Sequence, residues 1–472
     1  MEQWLQSSRI MRTNSRHPYA LFRVINNSPN GSRLFLAAII AAIVVMWAGC
    51  VDKGINVANT QPPPSPAAPV SVNTNTAIQP VAPQSANVPV TLPMMDALLS
   101  DGDFSERVKS ELQLSDEEIQ KLKDAGRDAV LNLDENDNED NSRSTVAAAR
   151  KAEKQINNIL GSEKGGRFLA MVRQNIAASG EPDLSAKPNS VPTDTRIVVN
   201  APEYRMDVFQ NGQLRKTYKI GIGYPEFPLP TGLRKAETII FNPTWTPPDE
   251  PWVKGKFKAG KTVDAGSKDN PLGPIKIPIG LPSLIHGGKA PSRLGTFASH
   301  GCVGLTTPQI RDFVGQLSSL SGPNISDADL KEYLSDKGDT KTVKLDTPVP
   351  VELRYETIVV EDGKLKIFRD VYERGTNNEE NLRRVLDSAG VSLDSLTSAD
   401  REKIISGLKE MAYDATGNPV DEADASGDDN KSNKSNPGGK ITKNIKGKKE
   451  VEFVLPQLNG KGYPAPANLM SQ

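Results

Sequence analysis

Histidine and cysteine are the scarce residues of this 472-residue chain, with three of the first and two of the second. So few cysteines exclude a disulfide scaffold as the source of stability. An excess of charge of either sign is also missing, since 57 Lys and Arg face 58 Asp and Glu. That balance removes the electrostatic case for a nucleic-acid partner. Hydrophobic content is modest at 37%, against 36 prolines and 37 glycines, so part of the chain is expected to be linker or disordered. The length suits two or three domains. One apolar run stands out, Leu34 to Ala48, and it is short of the roughly twenty residues that a membrane span needs.

What is present is concentrated. Two of the three histidines, His286 and His300, share one window with Cys302, and the window also holds Gly287, Gly288, Gly295 and Gly301. A free cysteine by itself is most often a small buried hydrophobe, and a lone histidine is a hydrogen-bonded side chain. Their joint placement in a glycine-rich loop reads instead as an active site. A thiol becomes a nucleophile when a base or cation lies beside it. Glycines let backbone N–H groups approach a reacting carbonyl, as an oxyanion pocket requires.

Three strings carry a resemblance: Ile285-His286-Gly287-Gly288, Arg293-Leu294-Gly295, and Ser299-His300-Gly301-Cys302-Val303-Gly304. They resemble the signature of the L,D-transpeptidases (YkuD-like domains). Pro230-Thr231-Gly232, Asn242-Pro243-Thr244-Trp245 and Pro271-Leu272-Gly273 resemble further strings of that family. Gly304 stands where many members have arginine. The resemblance implies a mainly β catalytic domain, a sandwich or barrel with a short helix after the catalytic cysteine, over residues 194–355. It implies acyl transfer on peptidoglycan stem peptides, releasing D-alanine and forming 3-3 cross-links or attaching a protein to the wall, with no cofactor and no metal. An L,D-carboxypeptidase or a lapsed wall-binding module are the alternatives. In those terms Cys302 is the nucleophile, His286 the proton donor and acceptor, and the Gly287 carbonyl orients its ring. His300 and Gly301 contribute the oxyanion pocket with Cys302. Ser299, Tyr224 and Trp245 are candidate substrate-binding residues, although core packing is the stronger expectation for Trp245. His-before-Cys order also separates this site from papain-like thiol enzymes, which place the cysteine first.

Around this domain the composition changes several times. Arg9, Arg12, Arg16, Arg23 and Arg33 precede the apolar run, and Ala48-Gly49-Cys50 follows it. This is the pattern of an export signal, with Cys50 as a lipidation site or the run as an uncleaved signal anchor, over residues 1–50. Either form puts the rest of the chain on the periplasmic or cell-envelope side, held to the membrane at its N-terminus. Residues 51–93 form a Pro-rich linker that, at ~3.1 Å per residue, reaches on the order of 100 Å.

Residues 94–185 turn helical. Ser115 and Glu118 form a capping box, a second helix starts near Ser144, and a third runs from Glu163 to Ala178. The acidic turn Asp134 to Asp140 lacks the glycine and the twelfth-position glutamate of a calcium loop. From Thr195 the period falls to two, with a hairpin at Asn211-Gly212. Thr307 is expected to cap the helix after Cys302, with Pro308 at its first position. Residues 356–415 read as a hairpin at Asp362-Gly363 plus helices, and 416–472 as a largely disordered tail.

Overall fold

The computed structural model describes residues 89–131, 144–178, 187–245, 262–265, 267, 270–335, 339–413 and 447–471. The expected export segment with Cys50, most of the expected linker, the acidic turn and the 414–446 stretch lie outside them. Among the described residues no helix is long and apolar enough to cross a membrane.

Four helices come first: α1 (Leu92–Leu99), α2 (Gly102–Leu112), α3 (Asp116–Leu131) and α4 (Thr145–Ala178). Helix α1 opens with Pro93 in its first turn, where a missing N–H costs nothing, so the helix begins inside the expected linker. The capping box ahead of α3 forms as read: Ser115 Oγ accepts from Glu118 N–H at 3.1 Å, and Ser115 N–H donates to Glu118 Oε2 at 2.7 Å. Gly161, at φ 77° and ψ 163°, interrupts α4 and divides it into the two expected helices. The apolar faces meet in one core of Met95, Leu98, Leu99, Val108, Leu122, Ile156, Phe168 and Val172.

The β domain follows with β1 (Arg196–Asn200), β2 (Arg205–Gln210), β3 (Gln213–Lys219), β4 (Ile222–Gly223), β5 (Gly232–Phe241), β6 (Ile275–Pro278), β7 (Leu284–His286), β8 (Phe297–Ser299) and β9 (Val303–Gly304). Asn211 and Gly212 both take positive φ, 50° and 77°, which is the turn that a tight β2–β3 hairpin needs. Helices α5 (Thr307–Ser321) and α6 (Asp327–Ser335) precede the long strand β10 (Lys341–Arg354). Eight strands make one sheet in the order β3-β2-β1-β10-β5-β6-β7-β9. The register of β10 against β5 shifts between Lys344 and Val349, a stretch that contains Pro348, which has no N–H for the ladder. Strands β4 and β8 pair in parallel beside this sheet, and a Gly221–Gly304 bridge joins them to its β9 edge. Ile310, Phe313, Val314 and Leu317 of α5 fill the core between these layers with Ile239, Ile275, Phe297 and Val351. The cap of α5 is Thr306 rather than Thr307, because Gln309, three residues on, returns a bond to Thr306 N–H at 2.8 Å.

Last come β11 (Ile358–Glu361), β12 (Lys364–Phe368), α7 (Glu379–Ser388), α8 (Ser398–Met411) and β13 (Glu450–Val454). The expectation of a largely disordered 416–472 tail is corrected over its final part. Strand β13 completes a three-stranded sheet against β12, and Leu455 and Leu458 are buried beneath α7 and α8. Apolar alternation in Val451, Phe453 and Leu455 is the cause, and it sits just past the charged stretch that dominates the composition. Tyr463 is also buried, and its hydroxyl donates to Asp207 at 3.1 Å. That contact belongs to a buried ionic cluster in which Arg205 bonds Glu203 at 3.0 Å, Asp207 at 3.0 Å, Glu361 and the Pro464 carbonyl. The cluster ties β2 to the three-stranded sheet. Burial beside two other carboxylates pushes Glu203 up to about 7.

Candidate active site

Strand register brings the scarce residues together. Strand β7 pairs with β9 in parallel, with Ile285 opposite Val303 and His286 opposite Gly304. Cys302 immediately precedes β9, so it enters at the edge of the strand that carries His286. Cys302 is a free thiol of intermediate exposure, whereas His286 is only 3% exposed. The ring of His286 is held from behind by a hydrogen bond of 2.8 Å between Nδ1 and the Gly287 carbonyl. A carbonyl only accepts, so Nδ1 carries the proton and Nε2 presents a lone pair.

Two glycines make a second backbone contact possible. Gly273 (φ 65°) and Gly288 (φ 81°) face each other so closely that a Cβ on Gly273 would lie 2.6 Å from Gly288 N. This approach seats Pro271-Leu272-Gly273 on the His286 loop, and the Leu272 backbone hydrogen-bonds the imidazole. On the other side of the site, the Leu284 backbone hydrogen-bonds the Cys302 thiol.

Ser299 pins the turn before β9. Its Oγ accepts from Cys302 N–H at 3.0 Å and donates to the Cys302 carbonyl at 2.6 Å. Ser299 is therefore a buried support of the cysteine backbone rather than an open surface, and the Cys302 amide is engaged with it. Gly301 takes φ 87°, a left-handed turn between the two residues, and its carbonyl accepts from Ser283 Oγ at 2.7 Å. His300 lies edge-on to Phe227 (4.7 Å between ring centres) and Tyr224 (5.4 Å). Tyr224 is 2% exposed and its hydroxyl accepts from Arg293 at 3.0 Å, so it backs His300 from within the core. Trp245 lies four residues past β5, half-buried, in an isolated bridge with Val263 and outside the main core.

The Tyr224–Pro230 loop that carries Phe227 is fastened from both flanking regions. Thr91 Oγ1 donates to the Glu226 carbonyl at 2.6 Å, and Thr145 Oγ1 to that of Pro225 at 2.8 Å. From the other side, Tyr372 donates to the Gly223 carbonyl at 2.9 Å and Arg374 to that of Leu229 at 3.2 Å. No local sequence motif marks these four residues as partners of that loop.

Electrostatics set the resting protonation. Burial, reinforced by the Lys289 charge, pushes His286 down to about 3, with the Gly287 and Leu272 backbone opposing. Burial pushes the Cys302 thiol up, opposed by the Leu284 hydrogen bond and by Lys289. The free site thus rests as thiol and neutral imidazole, not as a preformed thiolate–imidazolium pair. Such a pair reacts by moving a proton during attack, which is general-base chemistry.

Residues 194–351 match the family model for the L,D-transpeptidase catalytic domain. The chain is 28% identical over 183 residues to a probable L,D-transpeptidase, YcfS, of Escherichia coli, spanning 35% of this chain and 56% of that protein. It thus spans about half the length of this curated relative. Solved structures it resembles include the catalytic domain of an Enterococcus faecium L,D-transpeptidase, at 17% identity and a TM-score of 0.22, covering 35% of this chain and 100% of that one. An L,D-transpeptidase from Mycobacterium smegmatis gives 14% identity and a TM-score of 0.21, covering 34% of this chain and 58% of that one. Residues 194–351 are thus similar to the L,D-transpeptidase catalytic domain, by family model and by relative alike.

Proposed function

We propose that the domain is a peptidoglycan L,D-transpeptidase working by cysteine acyl transfer from tetrapeptide stems. The observation that carries this reading is the β7–β9 register, which lays the Cys302 turn along the His286 strand with His286 Nδ1 already committed to Gly287. Cys302 Sγ attacks the carbonyl carbon that follows the L-centre of the third stem residue, and its proton passes to His286 Nε2. The oxyanion is met by backbone N–H groups of the His300-Gly301 turn. Two backbone partners of the imidazole, Gly287 and Leu272, favour the imidazolium formed at this stage. The C–N bond breaks, the proton leaves with the amine of D-alanine, and the stem is held as a thioester. The side-chain amine of a second stem, deprotonated by His286, then attacks the thioester to form a 3-3 cross-link and return the thiol.

Water as acceptor makes the same site a carboxypeptidase, and an amine on a protein would attach that protein to the wall. In the same reading residues 1–50 export the chain, Cys50 or the apolar run anchors it to the membrane, and residues 51–93 let it reach the wall.

Mass spectrometry of muropeptides produced from tetrapeptide stems by the chain lacking residues 1–50 tests the proposal. We expect cross-linked dimers and released D-alanine with the native site. Cys302→Ala should lower both by about 10⁴-fold or more while leaving the fold intact. Carbapenems should add covalently to the native thiol only. Tripeptides without dimers would identify the carboxypeptidase. Neither product, with no carbapenem adduct, would leave a lapsed wall-binding module and sink the enzyme.

A further inference from the structure

The groups that fasten the Tyr224–Pro230 loop also enclose a cavity of about 320 Å³, at the small end of the roughly 300–1,000 Å³ range of ligand sites. Val146, Ala149, Arg150 and Glu153 line it from the first half of α4, where spacings of three and four put them on one face. Leu169 and Arg173 line it from the second half, beyond the break at Gly161. Val90 and the Tyr372–Arg374 turn complete the wall, and Cys302, His286 and His300 are not part of it. Each of the four loop bonds starts at this wall or one residue from it. Val90 adjoins Thr91, Val146 adjoins Thr145, and Tyr372 and Arg374 are donors themselves.

The wall carries both signs of charge, with Arg150, Arg173 and Arg374 against Glu153 and Glu373. The Nε atoms of Arg173 and Arg374 are buried and have no hydrogen-bond partner among the described residues. A buried donor without an acceptor is destabilising, most of all on a charged group. Neighbouring acids do not relieve Arg374. Its guanidinium lies 4.2 Å from the centre of the Tyr355 ring, and Asp370 accepts from Tyr355 Oη at 2.6 Å and from the Arg374 backbone N–H at 2.9 Å. Glu373 accepts from Ser144 Oγ at 2.5 Å.

We propose that this cavity binds a small zwitterion, a free amino acid or a dipeptide, with its carboxylate on Arg173 and Arg374 and its ammonium toward Glu153 and Glu373. A carboxylate supplies the acceptor that the two guanidinium groups need, in charge-assisted hydrogen bonds. A bare oxyanion such as phosphate satisfies the same donors but meets two glutamates, whereas an ammonium on the same ligand turns that repulsion into attraction. Val90, Val146 and Leu169 offer apolar surface to a short side chain, and the volume excludes a longer peptide. Such a ligand joins α4 to the 372–374 turn, the two elements that grip the loop from opposite sides. Its binding therefore holds Phe227 against His300. The inference draws nothing from the acyl-transfer reading of Cys302.

The test is titration calorimetry of the whole chain with D-alanine, L-alanine and D-alanyl-D-alanine, beside propionate, which is alanine without its amine, and inorganic phosphate. At least one of the three zwitterions should bind saturably at millimolar concentration or below, with propionate and phosphate about tenfold weaker or worse. Arg173 makes none of the loop bonds, so Arg173→Met should keep the native urea midpoint while lowering the affinity about tenfold or more. Glu153→Gln should narrow the gap between alanine and propionate. Hydrogen exchange in the bound chain should slow over residues 145–153 and 224–230. Carboxamidomethylation of Cys302 should change none of this. Failure of all three zwitterions to bind overturns the proposal, and so does native affinity in a folded Arg173→Met chain. Phosphate or propionate binding as tightly as the amino acids would make this a plain oxyanion site and overturn the ligand class. Loss of binding on labelling Cys302 would put the ligand in the candidate active site instead. Binding as expected in a chain that makes no muropeptide product would refute the transpeptidase reading alone, and products without binding would refute the cavity alone.

Discussion

At the scale of single residues, the proposed chemistry depends on a histidine that the fold keeps neutral. His286 is held near pKa 3 by burial and the neighbouring lysine, against about 6.5 in an unfolded chain. Between those values the unfolded state binds a proton that the folded state does not, so stability rises with pH across this window and falls on acidification. The neutral ring contributes on the order of 3–5 kcal/mol that is present above the unfolded value and lost toward pH 3. His286→Gln should flatten that acid limb in urea titrations between pH 6.5 and 4. The same variant should slow acyl transfer by about 10²- to 10⁴-fold, because the proton acceptor is gone. An acid limb as steep in the variant as in the native chain would show that another group governs it.

At the scale of elements, the helical region is the part whose purpose composition concealed. Helix α4 begins where Thr145 bonds the Pro225 carbonyl, and the 89–92 segment where Thr91 bonds that of Glu226, both threonines being fully buried. The loop they grip carries Phe227, which packs on His300. The C-terminal end of α4 is fastened too, as Arg234 of β5 donates to the Ile176 carbonyl at 3.3 Å. The helices therefore brace the loop that packs on His300. Thr145→Val keeps the shape but leaves the Pro225 carbonyl without this donor in a buried place, at a cost of about 1–3 kcal/mol. Chemical denaturation should report that loss, and hydrogen exchange should rise at Phe227 and His300. Unchanged exchange in that loop would show that the brace is dispensable.

At the scale of the whole molecule, residues 447–471 return to the eight-stranded sheet after a long excursion. Strand β13 pairs with β12, Tyr463 reaches Asp207, and Met470 exchanges backbone hydrogen bonds of 2.9 to 3.1 Å with Thr217 and Lys219 on the edge strand β3. Deletion of residues 447–472 removes the burial of Leu455, Leu458 and Tyr463 and strips Arg205 of the Pro464 carbonyl. At about 1.5–3 kcal/mol for each large apolar side chain, the loss approaches the whole stability of a small domain. The truncated chain should unfold at a lower urea midpoint and expose β12 amides to exchange. A midpoint equal to that of the full chain would show that the tail merely rests on the sheet.

Local chemistry was enough for much of this. Asn211-Gly212 and Asp362-Gly363 dictate their hairpins because few residues tolerate two successive positive φ values. Ser115 with Glu118 starts α3 because two donors are satisfied within one turn. The clustering of His286, His300 and Cys302 is legible before any coordinates, since side chains within one loop must lie close in space. Tertiary structure alone decided the rest. Lys289 acquires its place from the absence of a side chain on a different strand. Leu272 reaches His286 only because two glycines let separate loops touch, and Ser299 becomes a support because the chain turns back at Gly301. Strand β13 was hidden because pairing with β12 spans more than eighty residues of chain, and short-range patterns carry no information about so distant a partner.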